Sequence, residues 1–400
     1  MKKDMFPVIP ETEYSDRIAA FRARMEKDGI DLAVGFSNLL DPSTVRYFCG
    51  FAPVNESAAI IIPVTGKTIV CSGQASSDFA TGENRLADSE LAVLPEIGEV
   101  SGFEYDFASQ LDFTELFGTV AAAHTGVKRI AVLGKLIFPA VIWNKLKAAF
   151  PAAELIDYDG ALYDQRIIKS AAELACIRKA AGIISDTFGS VIPQISAGMT
   201  ELEIQALFES GMLRRGAESY VQAFAPMVAT GPVRSHISMT RNTRRTVSEG
   251  EMLNLAAGCC YEGYNGIICS PHVLGKPPAE IVDAVKAAYD ALNVTAEKLR
   301  PGVGAREVLN TYTHYLTKTG YIDYCPYGSL HSTGMLECEA PVFSADNNRD
   351  LKENMVICID AYFKGLPWGS FRIEDMYVVG KDKAERITTH NDAFLPGWIK

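Results

Sequence analysis

The chain has 400 residues, 48 % of them apolar and 22 % charged, a composition ordinary for a soluble globular protein and long enough for two or three domains. That balance excludes a disordered or collagen-like chain. Lys and Arg number 38 against 49 Asp and Glu, a net charge of −11, so neither nucleic acid nor an anionic membrane surface is an expected partner.

The spacing of Ile18, Phe21 and Met25 predicts an amphipathic helix over Glu13–Gly29. Buried strands are expected at Asp31–Phe36, Ala58–Val64, Lys67–Cys71, Ala92–Leu94 and Arg129–Leu133, with a helix over Pro139–Ala149. Alternating strands and helices indicate an α/β domain. A polar stretch, Asp157–Ser170, then leads into a long helical pattern over Ala171–Val191. Thr200 with Glu203 three residues on reads as a capping box opening a helix to Arg214. Further helices fit Pro278–Leu299 and Gly304–Thr319, among strands at Met252–Ala257, Gly263–Cys269, Met355–Ala361 and Asp375–Val379. The boundary falls near residue 160, giving an α/β domain over 1–160 and an α+β domain over 161–400.

Nine cysteines at irregular spacing, with no CxxC pair, suit neither a disulfide framework nor a zinc ribbon. No apolar run reaches signal-peptide or membrane-span length, so a cytoplasmic chain with reduced thiols is expected. Two of the six histidines lie in loops among glycine and small polar residues: His236 after Gly231-Pro232, and His331 in the run Tyr327–Gly334. Loop positions of that kind carry chemistry more often than core histidines do. Asp360 ends the apolar run Met355–Ile359, and Arg372-Ile373-Glu374-Asp375 opens another strand. Carboxylates at the edges of buried strands need a partner. A strand-end salt bridge of Arg372 with Asp360 is one way to supply it.

These pieces, taken in order, resemble the creatinase/aminopeptidase P/prolidase family, whose catalytic domain has the pita-bread fold. The resemblance rests on Arg166, Lys169, Ser170, Glu173, Ile177 and Arg178; on Thr230-Gly231-Pro232 with His236; and on Glu249-Gly250-Glu251. It continues through His331, Ser332 and Gly334, Glu339-Ala340-Pro341, Asn354–Val356, and Arg372 with Glu374 and Asp375. It covers essentially the whole chain and implies a pita-bread domain behind a smaller creatinase-like α/β domain.

Metallopeptidases of this family hold two metal ions through two Asp, one His and two Glu. Here the two Asp positions read Ala256 and Ile267, the His is His331, and the Glu positions are Asp360 and Glu374. The resemblance is therefore to metal-free members such as creatinase and ectoine hydrolase. It implies no metal, no cofactor, and a hydrolase cleaving a C–N bond in a small cationic substrate, guanidino, amidino or ammonium. His236 would act as acid/base, with His331, Asp360 and Glu374 in the catalytic site. Cys269 shares a strand face with Ile267 and is either a nucleophile or a small wall of the pocket. Cys338, Glu339 and Arg372 are candidate substrate contacts, together with Phe51 and Glu56, a segment expected to cap the partner's site in a homodimer. The alternatives are a metal-dependent Xaa-Pro aminopeptidase or prolidase, and a catalytically inactive binding module on the same fold.

Overall fold

The computed structural model describes residues 6–99, 111–218, 225–236, 240–326 and 330–399. The chain divides into two units, one of Ile9–Arg166 and the other of Ile167 onward together with residues 6–8. In the first, α1 (Glu11–Asp28) buries Tyr14, Ile18, Phe21 and Met25 and stops at Gly29, whose φ of 68° is the left-handed cap that glycine adopts without strain. Then come β1 (Leu32–Ser37), α2 (Ser43–Cys49), β2 (Ala58–Pro63), β3 (Thr68–Ser72), α3 (Ser77–Glu83), β4 (Ser89–Val93) and α4 (Phe113–Ala123). The unit closes with β5 (Arg129–Leu133), α5 (Ala140–Ala149), β6 (Glu154–Asp157) and α6 (Asp159–Arg166).

The six strands lie in the order β4-β3-β2-β1-β5-β6, antiparallel where β1, β2 and β3 meet and parallel at β3–β4, β1–β5 and β5–β6. Phe113, Phe117 and Val120 of α4 pack with Ile142 and Leu146 of α5 on the face that carries Leu32, Val34, Ile61 and Ile130. The sequence reading has no element at α2, α3 or α4. In α4 the missed signal is Asp112, whose carboxylate caps the Glu115 amide.

In the second unit α7 (Ala171–Val191) and α8 (Glu201–Arg214) each start with a complete capping box, Ser170 with Glu173 and Thr200 with Glu203. Next are β7 (Met227–Thr230), the short α9 (Gly231–Arg234), β8 (Met252–Tyr261), β9 (Tyr264–Val273), α10 (Ala279–Ala296) and α11 (Ala305–Thr319). The chain continues through β10 (Leu330–Ser332), β11 (Glu339–Val342), β12 (Val356–Leu366), β13 (Gly369–Val379), β14 (Ala384–Arg386) and α12 (His390–Phe394). The sheet runs β11-β10-β12-β13-β9-β8-β7, with β14 beside β13.

Strand alternation decides what the sheet presents. Ile357, Ile359, Phe363, Phe371 and Ile373 join Ile281, Val285, Ala288 and Leu292 of α10 in the core. On β8 and β9, Gly266 and Cys259 lie against α7, where the Cys259 thiol reaches Ala180 O. Residues of opposite parity on all four strands must face the other way. β8 and β9 are longer than the sequence reading had them, because both run on into a two-residue turn. Glu262 and Gly263, at φ 50° and 83°, supply the paired positive values that such hairpin turns require.

Candidate active site

The face turned away from α7 and α10 carries the candidate site. One register row runs Met227, Ala256, Cys269, Glu374, Asp360 across β7, β8, β9, β13 and β12. The neighbouring row runs Gly258, Ile267, Met376, Cys358, His331, with the Ile267 amide 3.1 Å from Met376 Sδ. The β7–β8–β9 side is apolar: Met227, Ala256 and Cys269 form a small buried cluster, and Ile267 is fully buried. The β12–β13 side and β10 carry the charge.

His331, Cys358 and Glu374 converge there, with one ligand-capable atom from each lying within 4.8 Å of the others. His331 Nδ1 stands 3.0 Å from Ser332 O, an oxygen that only accepts, so Nδ1 carries the proton and Nε2 faces the pocket. Nε2 is 3.5 Å from Glu374 Oε1 and 3.8 Å from Glu337 Oε1. The other oxygen of Glu374 accepts from the Cys269 thiol at 3.2 Å.

Burial pushes the Glu374 carboxyl up, but His331 and Arg372 outweigh it and hold the group below its ordinary range. Burial pulls His331 down, and Cys338 and Glu374 outweigh that and raise it well above an ordinary imidazole. Glu337 is pushed up to about 7, first by burial and then by Glu374. The sequence reading missed both Glu337 and Cys358. For Cys358 the available signal is parity, two residues before Asp360 on one strand.

Arg372 lies 3.9 Å from Asp360 and 4.7 Å above the Tyr362 ring, as the strand-end pairing anticipated. His236 sits farther along the same face, its Nδ1 2.5 Å from Ser370 Oγ and its carbonyl accepting from Tyr362 at 3.0 Å. Ser370 and Glu374 are four residues apart on β13, roughly 13 Å at strand rise. His236 and Cys269 therefore have different partners, Ser370 and Glu374. Cys269 is fully buried and a hydrogen-bond donor, and burial with Glu374 pushes its thiol well up, the opposite of what a thiolate nucleophile needs.

Glu339 is 3 % exposed, pairs with Lys169 at 3.6 Å and caps the Leu336 amide, so its carboxylate is committed inside the fold. Cys338 is exposed beside His331. In the first unit Phe51 is fully buried with its ring 5.9 Å from Phe79, and Glu56 accepts from the Ala75 and Ser76 amides. Both side chains are engaged within that unit. Residues 237–239 after His236, and 327–329 before His331, lie outside the described residues.

Residues 175–381 match metallopeptidase family M24, and residues 17–168 match the creatinase/prolidase N-terminal domain. The Xaa-Pro dipeptidase of Pyrococcus horikoshii is 27 % identical over 86 % of this chain and 96 % of its own length. That of Pyrococcus furiosus is 29 % identical over 91 % of this chain and 95 % of its own length. The X-Pro aminopeptidase of Thermotoga maritima superposes with a TM-score of 0.80 at 22 % identity over 93 % of this chain and 97 % of that one, a likeness of fold.

These findings overturn the expectation of a metal-independent, creatinase-like hydrolase of a cationic small molecule, since the relatives are Xaa-Pro dipeptidases of a metallopeptidase family. The physical reason is that the sequence reading counted donors only at the five family positions. It left out the sulfur that the fold brings to His331 and Glu374. The two-ion centre of such peptidases still does not fit here, because Ala256 and Ile267 offer carbon where donors are needed.

Proposed function

The chain belongs to metallopeptidase family M24, hydrolases of peptide C–N bonds, behind a creatinase/prolidase N-terminal domain, and on that premise we propose that it hydrolyses short peptides of the Xaa-Pro kind. The observation that carries this reading is the near end-to-end match with Xaa-Pro dipeptidases. The pocket face supports it with residues suited to the work.

Arg372, held between Asp360 and the Tyr362 ring, offers a fixed cation to a peptide carboxylate. His331, its Nδ1 proton tied to Ser332 O, keeps Nε2 on Glu374. Glu337, with a pKa of about 7 and 3.8 Å from that Nε2, can take a proton from water and return it to the leaving nitrogen at neutral pH. His236, anchored by Ser370, stands at the far end of the face, in reach of a second part of the substrate.

The test is incubation of the full chain with Xaa-Pro dipeptides and tripeptides, with and without added Zn²⁺, Mn²⁺ or Co²⁺, reading products by mass spectrometry. Ion-stimulated cleavage at the Xaa-Pro bond is expected. Intact peptides under every condition would overturn the reading, and a peptide that raises the melting temperature without being cut would favour a binding module.

The working form in this reading is a homodimer in the cytoplasm. Leu39, Leu40, Leu136 and Val141 are exposed on segments that follow the neighbouring strands β1 and β5, apolar side chains that a second copy could cover. All nine thiols are unbridged, which suits a reducing compartment. Among the described residues no helix is long and apolar enough to cross a membrane.

A further inference from the structure

We propose that this chain has exchanged the family's two-ion, all-carboxylate-and-histidine centre for a single-ion site in which Cys358 supplies a thiolate beside His331 and Glu374. The inference deepens the peptidase reading and rests on it for the ion's purpose, but not for the ion's presence.

Four observations converge. The three donors come from three neighbouring strands, β10, β12 and β13, and their atoms lie within 4.8 Å of one another. A tetrahedral zinc, with Zn–S near ~2.3 Å and Zn–N near ~2.0 Å, needs its ligand atoms roughly 3–4 Å apart, a closure of about 1 Å. Glu374 is 1 % exposed, and its Oε1 makes no hydrogen bond that satisfies it, with His331 Nε2 at 3.5 Å as its charged neighbour, so a buried carboxylate oxygen is aimed into a cluster of donors. His331 already has the arrangement of a metal ligand, with Nδ1–H given to a backbone carbonyl and Nε2 turned inward. Cys269 supplies the outer support: its thiol takes Glu374 Oε2 and leaves Oε1 for the ion.

The donor set names the ion class. One imidazole, one thiolate and one carboxylate suit a borderline-soft divalent ion such as Zn²⁺, or Co²⁺ in its place, better than Mn²⁺ or Mg²⁺. Three protein ligands leave a fourth position open, the pattern of catalytic rather than structural zinc. Loss of the family donors at Ala256 and Ile267 removes the second ion without touching these three, since both replacements lie on β8 and β9. Binding displaces the Cys358 proton and the proton on His331 Nε2 to solvent, while Nδ1–H stays on Ser332 O, so affinity falls as pH falls.

The test is titration of the full chain with Co²⁺ under reducing conditions, read by absorption, with bound zinc counted in parallel by elemental analysis. The expected result is one ion per chain and a thiolate-to-cobalt charge-transfer band in the near ultraviolet. Cys358→Ser should abolish the band, with Cys358→Ala as a second variant and thermal melting to show that each is folded. Cys269→Ala, which removes the donor to Glu374, should keep the band and weaken zinc binding about 10- to 100-fold, as loss of an outer support does. Stoichiometric cobalt without the band, a band that survives in folded Cys358→Ser and Cys358→Ala, or two ions per chain would each overturn the site. A band without Xaa-Pro cleavage would keep the site and sink the peptidase reading. Cleavage without a band would do the reverse.

Discussion

Cys269 and Glu374 stand directly opposite each other on β9 and β13, and the thiol donates to Glu374 Oε2 at 3.2 Å. This contact orients the carboxylate so that its other oxygen, 3.5 Å from His331 Nε2, is the one presented to the pocket. A cysteine at that place is a support for an acid, and the first prediction follows from it.

Burial and the neighbouring Glu374 push both Cys269 and Cys358 well above an ordinary thiol, whereas Cys338 is exposed. Brief treatment of the folded, metal-free protein with iodoacetamide at neutral pH should alkylate Cys338 and spare Cys269 and Cys358 until the chain unfolds. Peptide mapping by mass spectrometry reads this. Rapid modification of Cys269 in the folded chain would restore it as a nucleophile.

Lys169 and Glu339 form a buried pair, their side chains 2 % and 1 % exposed. Glu339→Ala leaves a lysine charge inside the fold and the Leu336 amide without its acceptor. A stability loss of about 3–5 kcal/mol is expected in urea unfolding. If Glu339 instead bound substrate, the variant would unfold like the wild type and change KM.

Gly266 lies on β9 next to Ile267, and a Cβ there would press on the Ala180 carbonyl of α7 more closely than real Cβ atoms allow. Both partners are backbone in regular elements, so neither yields cheaply. Gly266→Ala should cost about 2–3 kcal/mol or more, seen as a lowered melting temperature. Wild-type stability in this variant would mean that α7 and β9 are not packed as described.

His390 is pushed down to about 4 by burial, with His272 adding to the effect, from an ordinary value of 6.5. As pH falls below 6.5 the unfolded chain takes up this proton and the folded chain does not until about 4. Stability contributed by the neutral ring is therefore lost across that window as pH falls, by up to about 3 kcal/mol. His390→Phe, which keeps the ring against Phe188 and Phe394, removes the titration. Melting temperatures of the two proteins should diverge between pH 6.5 and 4, with the wild type losing more. Parallel pH profiles would contradict a buried, neutral His390.

Much of this architecture was legible in the residues. The helical pattern over Ala171–Val191 announced α7, the capping box at Thr200 announced α8, and the apolar run at Arg129–Leu133 announced β5. The elements missed are ones whose signals are short or contextual. β10 has three residues and β11 four, too few for periodicity to register. In the candidate site, loop placement and motif order singled out His236, His331, Asp360 and Glu374. Cys358 was not among them, because parity with Asp360 gives only the face it shares on an apolar strand, and the register with His331 is what makes it a ligand candidate. Phe51 and Glu56, expected on a capping segment, have their side chains in their own unit's packing and turn.

The most direct measurement is X-ray absorption at the zinc edge on the zinc-loaded full chain. The account predicts one ion with a single sulfur neighbour at ~2.3 Å among nitrogen and oxygen neighbours at ~2.0 Å. A shell of nitrogen and oxygen alone, or a second metal ~3.5–4 Å away, would contradict it.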